Sequence, residues 1–150
     1  MHEAKGKVKH PFIMGSLDKL KTEEPETIFK FIKENVKTKL NVSAKVDGIS
    51  CRLHYENGIL KSASTRGDGE FGEEITDKIK FVRYVPPTLS IKDPIDIRGE
   101  LVIFKSDFMK MTGFANPRNA CAGIMNRKDW YADDVKNISF VAYTILGPKY

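Results

Sequence analysis

Four short clusters in this sequence carry side chains able to do chemistry. The first is Lys45-Val46-Asp47-Gly48. On a strand, residues two apart share a face, so the Lys45 amine and the Asp47 carboxylate would project together. A lysine that sheds its proton, helped by desolvation or by neighbouring cations, becomes a nucleophile able to form a covalent intermediate. The second is Thr65-Arg66-Gly67-Asp68-Gly69, with Gly72 beyond it. Glycines let backbone approach a ligand closely, and an arginine at a strand end can grip phosphate oxygens in a bidentate way. The third, Arg98-Gly99-Glu100, offers a carboxylate to ribose hydroxyls. In the fourth, Asn116-Pro117-Arg118-Asn119, an asparagine cap would leave Arg118 in the first turn of a helix, where guanidinium and helix terminus attract a phosphate together. Each cluster also has a plainer reading: a loosely paired surface lysine, a flexible turn, an edge-strand ion pair, a capped structural helix.

These clusters need elements to hold them. Apolar residues at Ile28, Phe29, Ile32 and Val36 fall at helical spacing and predict a helix over 22–37, capped by Thr22, with Pro25 tolerated in the first turn. From Leu40 the period becomes two: Val42, Ala44 and Val46 alternate with Ser43, Lys45 and Asp47, which predicts a half-buried strand ended by Gly48. Strands at 50–56 and 59–65 flank Asn57-Gly58, a strong hairpin signal because both turn positions need positive φ. A short helix from about Glu73 carries Ile75, Ile79 and Val82, and Pro86-Pro87 closes that region. A strand over 95–104 is expected to be interrupted at Gly99, and Ser106 to cap a short helix. Pro117 should be the first helical residue after the Asn116 cap, and the final strand should run over 138–146. Hairpins mixed with single helices predict an α+β class with mainly antiparallel sheet.

Composition bounds the answer without choosing it. The chain has 150 residues, enough for one domain with a real core, and 41% of them are hydrophobic. Lys and Arg number 25 against 20 Asp and Glu, a net charge of +5 that suits a phosphate-bearing partner. Cys51 and Cys121 lie far apart and form no Cys-x-x-Cys pair, so they read as reduced core thiols, and the scattered His2, His10 and His54 give no metal-site pattern. The sequence shows neither a signal-peptide core nor the run of roughly 20 apolar residues that crosses a bilayer. A cytoplasmic, non-membrane protein is expected.

The order of the four clusters is more specific than any one of them. Lys-x-Asp-Gly, Thr-Arg-Gly-Asp-Gly, Arg-Gly-Glu and then Phe-Ala-Asn-Pro-Arg-Asn-Ala-Cys-Ala-Gly at 114–123 resemble the NAD-dependent DNA ligases in sequence and order. Gly15-Ser16-Leu17-Asp18 is similar to that family's Ser-Leu segment in the adenine pocket. The resemblance implies a nucleotidyltransferase core like that of DNA ligases and mRNA capping enzymes, with residues 1–150 a single partial adenylation domain whose segment 1–21 carries the Ser-Leu pair. It implies Lys45 as the nucleophile that takes AMP from NAD, with Asp47 assisting. It also implies Ser16 and Leu17 at adenine, Gly48 in the nucleotide site, Glu100 at the AMP sugar, and Arg66 and Arg118 near the phosphates. NAD and Mg2+ are the implied cofactors and nicked duplex DNA the implied substrate.

Several positions depart from the pattern. Ser43 stands where the family usually has glutamate, and Asn126, beside Arg127, stands where it has an arginine. The stretch between Glu100 and Phe114 is shorter than usual. The family's later strands, which carry a glutamate and a second lysine, are expected after Tyr150 and its nicotinamide-binding module before Met1. These departures suggest the front part of a divided ligase completed by a second polypeptide. The alternatives are a shortened fragment that does not ligate, or a non-catalytic nucleotide- or DNA-binding remnant. An ATP-dependent or RNA ligase is disfavoured by the Asn-Pro-Arg-Asn string.

Overall fold

The computed structural model describes residues 6–16, 20–21, 23–37, 39 and 42–148. Two compact units make up the chain, one formed by Met1–Met14 with Val46–Tyr150 and the other by Gly15–Lys45.

The larger unit is built on a four-stranded antiparallel sheet. Strands β2 (Ile49–Glu56), β3 (Ile59–Thr65), β5 (Ile95–Val102) and β6 (Ser139–Leu146) take the order β3-β2-β5-β6. The β2–β3 hairpin forms where the sequence predicts it, with Asn57 at φ 53° and Gly58 at φ 74°. One face of the sheet is apolar: Cys51, Leu53 and Tyr55 of β2, Ile95 and Leu101 of β5 and Phe140 of β6 are all buried. Against it pack α4 (Pro117–Asn126), through Ala120, Cys121, Ile124 and Met125, and α2 (Thr76–Ile79), through Ile79. The short helices α3 (Lys105–Phe108) and α5 (Ala132–Val135) complete this layer. A second, two-stranded sheet joins β1 (Lys7–Lys9) to β4 (Phe71–Glu73), so residues 7–9 lie against the loop that follows β3.

Several expectations are adjusted by the structure. Ile75, Ile79 and Val82 are all buried, but only Ile79 lies within α2, a single turn that starts at Thr76 rather than near Glu73. β5 is not interrupted at Gly99, where a Cβ would stand 2.2 Å from the Phe140 ring; the irregularity at this point falls on the facing β6. The short helix over 105–108 starts after Phe104 with no side-chain cap, so Ser106 is not its cap. β1, β4 and α5 were not foreseen, being too short for a periodic pattern to register.

The smaller unit contains α1 (Pro25–Asn35), with Pro25 within the first turn as expected and in fact its first residue. The proposed cap, Thr22, lies outside the described residues. No residue of α1 is buried, and Phe29 is 70% exposed, so its apolar stripe has no core within this unit. The predicted strand over 40–48 is not formed across its described residues, 42–48. Residues 42–48 lie outside every strand, Val42 is 90% exposed, and β2 begins only at Ile49; Leu40 is outside the described residues. Alternation favours a strand only when a neighbouring strand accepts its backbone hydrogen bonds. Gly48 instead meets the end of β5 side-on, where a Cβ would lie 2.0 Å from the Leu101 carbonyl oxygen. Gly48 therefore leads into β2 rather than ending a strand. Among the described residues, no helix is long and apolar enough to cross a membrane.

Candidate functional site

The second face of the sheet is polar, and the register decides which side chains share it. Ser50 pairs with Glu100, Arg52 with Arg98 and His54 with Asp96 across β2 and β5. Directly opposed residues lie on the same face. Two arginines facing each other would repel, and the face offsets them. Arg52 makes a 2.7 Å ion pair with Asp96, both side chains being mostly buried, and lies 5.9 Å from the Phe12 ring centroid. Asp96 also takes a 2.8 Å contact from His54 Nδ1. Arg98 lies 5.9 Å from the Tyr143 ring centroid.

Tyr143 reaches this face through an irregularity. Arg98 pairs with Thr144 and Gly99 with Ala142, so Tyr143 is an extra residue on β6. Such a bulge re-aims a side chain. The Tyr143 hydroxyl stands 2.7 Å from Ser50 Oγ, spanning β5 beside the register position of Glu100. Sequence reasoning singled out Glu100 but missed Ser50 and Tyr143. Ser50 could have been found from the alternation of β2, whereas a bulge leaves no such trace.

The Arg66 loop shows which of its residues are architectural. Asp68 Oδ1 accepts hydrogen bonds from the backbone N–H groups of Phe71 (2.7 Å) and Glu70 (2.9 Å), and these bonds hold its carboxyl below the usual carboxylate range. Gly67 and Gly69 have φ of +57° and +105°, and a Cβ on Gly72 would stand 1.8 Å from the Thr65 carbonyl oxygen. The turn thus uses its glycines and aspartate for its own shape and leaves Arg66 as the cluster's cationic group. Arg66 N–H donates to the Ser50 carbonyl at 2.8 Å, which ties the loop to the start of β2. His10, itself buried, holds Nε2 3.1 Å from the Arg66 carbonyl oxygen.

The α4 terminus forms as the sequence predicts. Asn116 Oδ1 accepts the Asn119 N–H at 2.8 Å, and Pro117 is the first helical residue. Arg118 Nη1 reaches Asp47 Oδ1 at 2.7 Å, so residues 71 positions apart come together. Their side chains are 57% and 73% exposed. Arg127, the neighbour of Asn126, is committed elsewhere: it pairs with Asp134 at 3.0 Å and lies 5.9 Å from the Phe114 ring centroid.

Of the expected site residues, the structure therefore gathers Asp47 with Arg118. It sets Gly48 against the strand carrying Glu100, and Arg66 beside Ser50, the register partner of Glu100. Lys45 and Ser16 are exposed and belong to the other unit, Gly15–Lys45. Leu17 lies outside the described residues. Cys51 and Cys121 are both free and buried, and burial raises the Cys51 thiol well above its ordinary range and the Cys121 thiol to about 12.

Comparison with known proteins agrees with the order of the clusters. A sequence profile described as "NAD-dependent DNA ligase adenylation domain" matches residues 3–149. A DNA ligase from Sulfurimonas denitrificans is 46% identical over 110 residues, covering 67% of this chain and 17% of the relative. DNA ligases from Metamycoplasma arthritidis and Lactobacillus gasseri are 36% and 38% identical over 157 aligned positions, each covering 95% of this chain and 23% of the relative. The chain thus spans about a fifth of the length of the curated relatives it matches. It belongs to the NAD-dependent DNA ligase adenylation domain family.

Proposed function

We propose that this chain carries the adenylation step of an NAD-dependent DNA ligase on a nucleotidyltransferase core, with residues 1–150 acting as one partial adenylation domain. The observation that carries the reading is the exposed Asp47–Arg118 pair at the N-terminus of α4. An exposed pair is worth about 0–1 kcal/mol. Exchanging the carboxylate for a phosphate at the same guanidinium, beside a helix N-terminus, therefore costs little and gains charge-assisted hydrogen bonds.

In this reading Lys45 Nζ attacks the α-phosphorus of NAD. The N–P bond forms as the P–O bond to nicotinamide mononucleotide breaks, and that fragment leaves with the electron pair. Asp47, two residues on in the chain, takes up the amine proton or hands it to water. Arg118 and Arg66 offset charge around the phosphates, Glu100 accepts from the ribose hydroxyls, Gly48 lets backbone approach, and Ser16 and Leu17 contact adenine. AMP then passes to the 5′-phosphate of nicked duplex DNA, and the nick's 3′-hydroxyl displaces it. Among the described residues no three His, Cys, Asp or Glu side chains group as a metal cage. A Mg2+ ion would be held mainly by phosphate oxygens and water, with Asp47 helping to place it. Complete sealing is proposed to need the later family motifs, which a second polypeptide carrying them could supply, in the cytoplasm where NAD and DNA meet.

The test is incubation with adenine-labelled NAD and Mg2+, with and without such a polypeptide, followed by intact-mass analysis. The expected result is a gain of one AMP that disappears in Lys45→Ala, whose fold should be unaffected because Lys45 is exposed. Undiminished labelling of Lys45→Ala would refute the nucleophile assignment. No adduct under either condition would favour the non-catalytic nucleotide- or DNA-binding alternative.

A further inference from the structure

Lys78 is an unusual residue that the proposed chemistry does not use. It sits in the single-turn helix α2, is 3% exposed, and points its ammonium at the far end of α4. Nζ donates to the Met125 carbonyl at 2.5 Å and the Arg127 carbonyl at 2.7 Å, and lies 5.9 Å from the Trp130 ring centroid. Trp130 is buried and packs edge-on against Phe81. The carbonyls at a helix C-terminus lack intrahelical partners, and a cation placed there also meets the negative end of the helix dipole.

Beside that end Ile124 and Met125 are buried in the core, whereas the rest of α4 is smoother. Its middle, residues 120–123, is Ala-Cys-Ala-Gly, and Gly123 rests against the Phe114 ring, where a Cβ would come within 2.9 Å. Small side chains pack closely but interdigitate little, so they oppose sliding along the helix axis weakly. Resistance to sliding therefore concentrates toward the C-terminal end, in the buried Ile124 and Met125 and in directional polar contacts. Those on the buried side include the Cys121 Sγ hydrogen bond to the Leu101 carbonyl, 3.2 Å, and the two bonds from Lys78. At the opposite end the same rigid helix carries Arg118, 2.7 Å from Asp47.

We propose that Lys78 is a positioning residue that pins the C-terminal end of α4 and thereby fixes the axial place of Arg118 opposite Asp47. Its link to phosphate handling rests on the adenylation reading above; the pinning itself does not. Hydrogen exchange followed by NMR on the full chain tests the pinning directly. In Lys78→Met α4 should leave the core more often, and a helix this short melts once undocked. The Asn119 and Ala120 amides, held by Asn116, should then exchange at least about tenfold faster, although they lie roughly 10 Å along the helix from the lysine's contacts. The Leu53 amide in the central strand should keep its protection. Lys78→Arg, which still donates to both carbonyls, should restore protection at Asn119 and Ala120. Lys78→Gln, with a shorter neutral donor, should fall between and serves if Lys78→Met does not fold. Faster exchange confined to the last turn of α4, an equal loss across the sheet, or no rescue by arginine would overturn the proposal. In parallel, AMP adduct formation should fall in Lys78→Met and return in Lys78→Arg. A wild-type chain without adduct would count against the adenylation reading and leave the exchange result standing.

Discussion

The two faces of the four-stranded sheet are made by the same strands and obey different physics. On one, Cys51, Leu53 and Tyr55 are buried against α4 and α2, and their contribution is apolar area removed from water. On the other, Ser50, Arg52 and His54 alternate with them along the chain and face Glu100, Arg98 and Asp96. A single strand thus separates packing from polar recognition with a period of two. The apolar face specifies the fold, and the polar face keeps groups that are costly to bury, held by mutual pairing.

That division can be broken by substitution at neighbouring positions of β2. Leu53→Ala should cost about 2–5 kcal/mol in chemical denaturation, because it opens a cavity in a fully buried site. Arg52→Met, one residue away, should cost less, about 1–3 kcal/mol, since Asp96 loses its 2.7 Å partner but keeps His54. Equal losses at the two positions would mean that the faces do not divide as described. Below these in size is an acid effect on the loop that joins β3 to β4. Asp68 has its folded-state pKa depressed by the Phe71 and Glu70 N–H groups. Its contribution is therefore present above the unfolded value of 3.8 and is lost as pH falls through the lower folded value. Asp68→Asn should flatten that part of an acid-unfolding profile. Smallest for stability is Arg118→Ala, about 0–1 kcal/mol given its exposure. The same change should weaken inorganic phosphate or NAD binding severalfold in calorimetry. A variant that unfolds while binding normally would invert the comparison.

How much of this was legible in the sequence follows from how local each cause is. The β2–β3 hairpin was readable because Asn57-Gly58 determines its own turn, and the α4 start because Asn116 and Pro117 act within one turn. The strand predicted over 40–48 failed because alternation says nothing about whether a partner strand exists. The buried stripe expected of α1 failed likewise, since spacing shows an apolar face and not what covers it. Asp47 and Arg118 were each singled out, but their meeting across 71 positions is a product of the fold. Ser50 with Tyr143, and Lys78 with the end of α4, depend on a bulge and on a long-range dock, and neither leaves a local signature.

The two buried thiols turn this architecture into a clock. Desolvation keeps Cys51 and Cys121 protonated at neutral pH, so a thiol reagent reacts with either only while the protein is open. Cys51 lies on the central strand and Cys121 on the helix that covers it. The ratio of the two labelling rates therefore reports the sequence of opening. Matched rates mean that helix and sheet part in one cooperative event, whereas a faster Cys121 means that α4 lifts first, exposing the sheet's apolar face on a timescale a stopped-flow or quench experiment can follow.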